Sequence, residues 1–584
     1  MRGAASVLVL VAPLCFAQTL VVDRDRDRHP INPNIYGINF YWSARDTAAG
    51  TAARELRVTA RRWGGNNTSR YHWSFDVSNL DADWFFEVLP DNRTDASKLP
   101  EGSSFNRMMD HVVETGGIMI STMPIMGWMP KARQRMCSFS VQKYGPQCRT
   151  DPYWSDCGDG RKPDCRTNIE NDPYDTNVPV DEEFGAEWVR YLAAKYGPAN
   201  RGGVAVWSLD NEPIWWSGTH RDIHPQPQEY DETFEKGMRW AKAIKSADPT
   251  ALVTGPVSAG WESFYFSLKD CNAGWRSRGV NGGADWQYWN NPVDRREHDG
   301  KAFVPWYLEQ FRKYEEENGQ RLLDVLDLHA YIAPEGIPFS KRGDEEKESL
   351  RLTSTRVFWD PEYRAKWTPD LDDLASPDYG KPAAAALIPR MKRWVADHYP
   401  GTQTAITEYH WGASESITGA LAQADLLGIF GREGLDIATL WDPPAPTDPL
   451  AFAFRLFRNY DGQGSAFGDV SLYAASPDPD TLSVFAAERT ADKALTVLVI
   501  NKTPAERSAR LELAGLGAGS LLEQWRYSEA DLARIERADD VRASDDGSIE
   551  TTAPGYSLTL FVVPAPPPPN GEPAASHAPR RQNR

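Results

Sequence analysis

The sequence predicts an α/β fold, a (β/α)8 TIM barrel followed by a C-terminal antiparallel β-sandwich, on three observations. Eight short apolar or β-branched runs recur along most of the chain, and amphipathic stretches lie between several of them. Beyond about Ser465 the texture changes to alternating runs divided by turn residues. At 584 residues the chain exceeds one ordinary core, whereas a barrel of about 250 residues or more with a smaller module accommodates it.

The elements follow in order. The start, "MRGAASVLVLVAPLCFAQT", carries one charge at Arg2, an apolar run from Ala4 to Leu14 and a Cys-Phe-Ala step. This is the pattern of a secretory signal peptide over residues 1–17, too short to span a bilayer as a helix. A lipoprotein site at Cys15 is the alternative, disfavoured by the bulk of Leu14. Residues 18–34 supply one strand, Thr19 to Asp23, to the sandwich. The barrel occupies 35–464, with strands over Ile35–Asn39, Val58–Trp63, Gly117–Thr122, Val204–Leu209, Ala251–Pro256, Val325–His329, Thr404–Glu408 and Ile437–Trp441. Phe184–Tyr196, Tyr230–Ala247 and Ala384–His398 read as outer helices. The sandwich occupies 465–564, with runs at Thr481–Arg489, Ala494–Asn501, Ser508–Leu513, Leu521–Tyr527 and Tyr556–Val563. Residues 565–584 are Pro-rich without apolar periodicity, a disordered tail or the stub of a linker.

A formal net charge of −18 removes any global attraction for nucleic acid or an anionic membrane. With no later run of 18 apolar residues, a secreted, extracellular monomer outside the membrane is expected. Cys137, Cys148, Cys157 and Cys165 read as two disulfides with three open connectivities, leaving Cys271 as a buried odd thiol. They fall in a connection over residues 130–180 that is long enough to be functional, and two disulfides argue that it is an ordered wall above the barrel. Its acids Asp156, Asp159, Asp164 and Asp172 could hold a structural calcium ion, although solvated acids are the commoner outcome and no regular ligand loop is visible.

Active sites of (β/α)8 barrels collect at the C-terminal ends of the strands. Two glutamates end different strands here, Glu212 in "WSLDNEP" and Glu408 in "ITEYHWG". Paired carboxyls suit glycosidic cleavage, in which one group is protonated for the leaving oxygen and the other is ionised. Aromatic neighbours raise the affinity of Glu212 for its proton by desolvation, while Arg62 and Tyr331 from other strand ends favour an ionised Glu408. Glu212 therefore reads as acid/base and Glu408 as nucleophile. Pro213 is expected to hold Glu212 extended and stop the ladder, and Asn211 to donate to a sugar hydroxyl. In "RRWGGNNTSRYHW" two glycines allow a tight turn under a ligand, and Asn66 and Asn67 offer donors and acceptors. No phosphate-loop ending follows. His329 and His410 lack partners at metal-ligand spacing and read as polar cleft residues, so no metal ligand set is assigned. Trp42, Trp63, Trp128, Trp215, Trp216, Trp261, Trp411 and Trp441 are candidate sugar platforms, about half of them expected to be packing residues.

Together "RRWGGNNTSRYHW", "WSLDNEP", "DLHAY", "ITEYHWG" and "FRNYDGQGSAFGD" resemble the blocks of glycoside hydrolase family 44, in that family's order, from about Ile35 to the end of the sandwich. The resemblance implies a barrel plus β-sandwich and retaining endo-hydrolysis of β-1,4-glucans, often including xyloglucan or mixed-linkage glucan. No cofactor is implied, and the partner is a β-glucan polysaccharide. It also implies the same roles for Glu212 and Glu408, with Asn211 on the sugar 2-hydroxyl and Arg62 and Tyr331 holding the nucleophile. The cysteine-rich insertion falls outside the family's blocks. A related barrel glycosidase acting on xylan or mannan is the alternative enzyme, and an inactive secreted carbohydrate-binding protein the alternative outside enzymes.

Overall fold

The computed structural model describes residues 18–39, 48–276, 291–332 and 336–564. The expected signal peptide, the Pro-rich tail and Trp42 lie outside the described residues. Eight parallel strands close into a barrel: β1 (Gly37–Asn39), β2 (Ala60–Trp63), β3 (Ile118–Met123), β4 (Val204–Leu209), β5 (Leu252–Ser258), β6 (Val325–Tyr331), β7 (Gln403–His410) and β8 (Ile437–Leu440). Each expected run overlaps one of them, with ends shifted by a few residues. Around the barrel lie α1 (Ala48–Glu55), α2 (Ser104–Thr115), α3 (Glu182–Tyr196), α4 (Tyr230–Ala247), α5 (Phe303–Asn318), α6 (Leu387–His398), α7 (Ile417–Glu433) and α8 (Pro449–Arg458). Local signals start several of these helices. Ser103, Asp181 and Ser416 cap α2, α3 and α7 by accepting a first-turn N–H.

Inside the barrel, Ala60, Ile120, Val206, Val325, Ala405 and Ile437 form an apolar plug near the N-terminal ends of the strands. Polar side chains are left for the other end, which positions the site. Two strands carry an extra residue there. Between β6 and β7 the pairing steps from Leu328 with Ile406 to His329 with Glu408, so Thr407 is unmatched. Between β5 and β6 it steps from Pro256 with Asp327 to Ser258 with Leu328, so Val257 is unmatched, with φ 56°. Bulges of this kind re-aim neighbouring side chains.

The C-terminal strands form one folded sheet in the order Asp531–Arg542, Leu521–Ser528, Ser557–Val563, Leu495–Asn501, Leu482–Glu488, Val470–Ala475, Gln18–Asp23, Arg507–Leu513, Ser548–Ala553. Leu20, Val22, Val484, Val497, Leu511, Ile549 and Phe561 share its core. The N-terminal strand does join it, but parallel to Arg507–Leu513, so the sandwich is mostly rather than wholly antiparallel. Strands Val470–Ala475, Asp531–Arg542 and Ser548–Ala553 were not anticipated. Asp531–Arg542 is an edge strand exposed along most of its length and therefore lacks an apolar alternation.

The insertion is ordered. Its disulfides are Cys137 to Cys157 and Cys148 to Cys165, and Cys271 is a buried free thiol. Met136–Cys137 pairs with Glu87–Pro90, and Asn177–Pro179 with Trp128–Pro130. Beneath it, buried Arg70 meets Asp222 at 3.0 Å and Asn177 at 2.6 Å, which ties together the loops after β2, β3 and β4. The four acids of the calcium expectation accept hydrogen bonds from their own surroundings: Asp156 from Ser140 and Gln142, Asp159 from Arg149 and Arg161, Asp164 from Arg166 and Thr167, Asp172 from Tyr174.

Candidate active site

The pleat decides which strand-end side chains reach the cleft, because neighbours on a strand face opposite sides. On β2, Arg62 points to the barrel axis and Trp63 outward, where it packs on Tyr71 and Phe105 with 3% exposure. Trp63 is therefore a core residue rather than a sugar platform. Gly64 and Gly65 serve the arginine. A Cβ at Gly64 would overlap the Arg62 guanidinium, and Gly65 turns the chain at φ 99°.

β4 ends at Leu209, and both Asp210 (φ 70°) and Glu212 (φ 45°, ψ 63°) then adopt left-handed backbone. The expectation of an extended Glu212 is overturned. Pro213 disfavours the right-handed helical region for its predecessor, and tertiary hydrogen bonds select the left-handed one: Glu212 N–H donates to Val257 O at 3.1 Å, and Trp215 N–H to Glu212 O at 2.9 Å. Such backbone stores about 1–3 kcal/mol per residue and concentrates at sites the fold over-determines. Asp210 is a supporting acid, accepting from Asn211 N at 2.9 Å, Ile125 N at 2.8 Å and Trp216 Nε1 at 3.2 Å. Trp216 is thus core, whereas Trp215 stands 41% exposed on the rim.

Glu212 and Glu408 meet at the centre. One oxygen from each and His329 Nδ1 all lie within 4.8 Å of one another. Glu408 Oε1 accepts from Arg62 Nη1 at 2.6 Å and Oε2 from the Tyr331 hydroxyl at 2.7 Å, a donor set suited to a carboxylate anion. Arg62 Nη2 also reaches Asn211 Oδ1 at 2.8 Å, and Asn211 Nδ2 reaches Asn66 Oδ1 at 3.1 Å. Asn66 donates in turn to Asp83 at 3.2 Å. Among the described residues Glu212 has no Lys or Arg in contact. Its Oε1 lies 2.8 Å from His329 Nδ1, and burial pushes its carboxyl up to about 7, with Arg62 opposing and Asp83 reinforcing. Burial holds the His329 ring neutral, pushed down to about 3, with Glu408 opposing and Arg62 reinforcing. Among the described residues this trio is the one group with metal-like convergence, but a guanidinium on Glu408 and a hydrogen bond between Glu212 and His329 already use the atoms a cation would need.

His329 is completely buried, with Nδ1 against Glu212, and forms part of the cavity wall beside the carboxyls. His410 is likewise buried, bonded to Gly412 N–H and the Ser414 hydroxyl. Trp411 is 3% exposed, packs on Phe358 and donates to Ser354 Oγ, so it is a fixed part of the cavity wall. Trp441 is half-buried at the end of β8, and Trp128 half-buried against Tyr174. A cavity of about 220 Å³ opens beside the carboxyls, lined by Trp261, Glu262, His329, Tyr331, Trp367 and Trp411. A larger one of about 630 Å³ lies between the insertion and the loops after β2 and β4, lined by Asp83, Trp84, Arg149, Arg161 and Arg221 among others.

Sequence reasoning missed Asp83, Glu262, Asp327, Trp367 and Thr407. Glu262 directly follows Trp261, which gave a local signal. Trp367 lies on a hairpin, Arg364–Pro369 with Pro382–Ala384, inserted between β6 and α6, where no periodicity marked it. Thr407 reaches the site only because of the bulge.

The family model described as Glycoside hydrolase family 44 matches residues 77–334. Endoglucanase A of Paenibacillus lautus is 31% identical over 504 residues, 83% of this chain, which spans 63% of that protein's length. Among solved structures, CelM2, a bifunctional glucanase-xylanase protein from a metagenome library, is 37% identical with a TM-score of 0.84, over 94% of this chain and 99% of that one. A Paenibacillus polymyxa xyloglucanase from glycoside hydrolase family 44 is 28% identical with a TM-score of 0.72, over 94% and 99%.

Proposed function

The chain belongs to glycoside hydrolase family 44, and from that premise we propose that it is a secreted retaining endo-glycosidase that hydrolyses internal β-1,4 bonds of cellulose-type glucans and xyloglucan. One observation carries the reading: two carboxyls with oxygens within 4.8 Å sit in opposite environments, Glu408 on Arg62 and Tyr331, Glu212 desolvated against a neutral imidazole. That closeness favours retention, for which carboxyl groups stand about 5–5.5 Å apart, over inversion at about 6.5–9.5 Å.

In the first step Glu408 attacks the anomeric carbon while Glu212 protonates the departing oxygen. In the second, Glu212 takes a proton from water, which displaces Glu408 from the sugar. Arg62 and Tyr331 hold the nucleophile, and Asn211, itself oriented by Arg62 and Asn66, faces the 2-hydroxyl. Trp215, Trp128 and Trp441 are the sugar platforms that keep exposed surface. Secretion is supported by the two disulfides, and among the described residues no helix is long and apolar enough to cross a membrane. The same reading divides the chain into a barrel over 35–464 and a sandwich over 465–564, acting as a monomer.

The test is reducing sugar released from carboxymethylcellulose, xyloglucan, xylan and mannan by wild type and Glu408→Ala. Release from the glucans by wild type alone is expected, and no release from any polymer by wild type overturns the enzyme reading. Xylan cleavage is the second reading, favoured by the likeness to a glucanase-xylanase. Proton NMR of the first product should show the β-anomer; an initial α-anomer means inversion.

A further inference from the structure

Below the cleft a line of hydrogen bonds runs from Glu212 to a second buried carboxyl. Glu212 Oε1 lies 2.8 Å from His329 Nδ1, His329 Nε2 lies 3.3 Å from Thr407 Oγ1, and Thr407 Oγ1 lies 2.8 Å from Asp327 Oδ2. The Thr407 N–H also donates to Asp327 Oδ1 at 3.1 Å. His329, Thr407 and Asp327 are at most 1% exposed. Asp327, His329 and Tyr331 share the inner face of β6 by alternation, and the β7 bulge turns Thr407 to meet them.

We propose that Asp327, Thr407 and His329 form a proton wire ending on Glu212, so that one proton is shared between the acid/base and a carboxyl sealed inside the barrel. The proposal rests on the reading of Glu212 as acid/base. A neutral imidazole carries one N–H, which makes the wire's two states mirror images. With Asp327 ionised, Thr407 donates to it, His329 Nε2–H donates to Thr407, and the protonated Glu212 donates to Nδ1. In the other state Asp327 donates to Thr407, Thr407 donates to Nε2, and Nδ1–H donates to the Glu212 carboxylate. Between them the Glu212 proton passes to Nδ1, the Nε2 proton to Oγ1 and the hydroxyl proton to Oδ2. Atoms and charge balance without a co-reactant.

The surroundings favour exchange. Burial pushes both Glu212 and Asp327 up to about 7, so neither end holds the proton decisively. The charged and titratable groups around Glu212 are Arg62 from β2, Asp83 from the loop after β2, His329 and Tyr331 from β6, and Glu408 from β7. Asp327 feels Arg62 and Glu408. A retaining cycle needs Glu212 to lose a proton and regain one while the glycan covers it. The wire adjusts that proton's affinity from below, and Asp327 and Thr407 are accordingly positioning residues.

Asp327→Asn and Thr407→Val test this. The asparagine amide donates to Thr407, turns its hydroxyl toward Nε2 and keeps Nδ1–H on Glu212, which favours the Glu212 carboxylate. Valine removes the acceptor of Nε2–H, with the same consequence. For both variants the basic limb of kcat/KM against pH, measured on a soluble β-glucan, should move about one unit lower, a loss of about fivefold at neutral pH that approaches about tenfold at higher pH. An aryl β-cellobioside with a dinitrophenolate leaving group needs no acid and should keep its kcat/KM, and Thr407→Ser should restore the wild-type profile. If the basic limb stays in place for both variants while the wild type is active, the wire is overturned and the functional reading stands. Equal losses on the two substrates with an unmoved limb also overturn it, as a structural defect. A wild type inactive on every polymer overturns the functional reading first.

Discussion

At the residue scale, the division of labour proposed for Glu212 and Glu408 rests on their contacts rather than on their shared chemistry. A carboxyl gripped by a guanidinium and a phenol suits attack, and one pressed against a neutral imidazole suits proton donation. With its carboxyl raised to about 7 by burial, Glu212 is protonated below that pH and ionised above it. Polymer hydrolysis should therefore decline as pH rises through about 7, read from the basic limb of the kcat/KM profile. Glu212→Gln should lower polymer kcat/KM by about 10²–10⁴ and flatten that limb, while an aryl glycoside with a good leaving group is affected far less. An unchanged limb in Glu212→Gln would assign the titration to another group. Both glutamates were legible in the sequence as strand-end acids, because each follows closely on a strand-like apolar run. The left-handed backbone of Glu212 was not, because hydrogen bonds to Val257 and Trp215 select it.

At the element scale, the site depends on irregularities that a period-two reading does not contain. The bulge on β7 brings Thr407 and Glu408 to the same cluster, and the irregular step on β5 presents the Val257 carbonyl to Glu212. In the loop after β2, Gly64 leaves room for Arg62. Gly64→Ala should displace the guanidinium from Glu408 and Asn211, lowering kcat/KM strongly with a smaller change in Tm, as paired kinetics and melting would show. Equal activity in Gly64→Ala would mean that Arg62 tolerates displacement. Strand alternation, properly followed, does separate Arg62 from Trp63. Residue type alone marks Trp63 as a sugar platform, and the pleat sends it outward.

At the scale of the whole molecule, α7 is the seam between barrel and sandwich. It is buried along nearly its whole length, so its sequence has no polar stripe to announce a surface helix. Gly428 lies directly under Phe485 of the sandwich, and Asp425 meets Lys502 at 2.8 Å with side-chain exposures of 2% and 1%. Asp425 also accepts from Thr355 at 2.6 Å. Lys502→Ala strands a buried carboxylate and should cost about 3–5 kcal/mol, whereas the paired change Lys502→Met with Asp425→Leu should recover much of that. Chemical denaturation of Lys502→Ala, of the pair and of its two single changes checks it, and additive losses in the pair would contradict the coupling.

The sequence by itself determined the barrel, its strand order, the presence of a sandwich and the two glutamates, because hydrophobic period and strand-end chemistry are local properties. Only the tertiary structure decided the disulfide pairing, the parallel docking of the N-terminal strand, which tryptophans keep an open face, and the buried line from Glu212 to Asp327. Each of those depends on residues distant in the chain approaching within hydrogen-bonding or packing range, and that is set by barrel closure and bulges rather than by any local pattern.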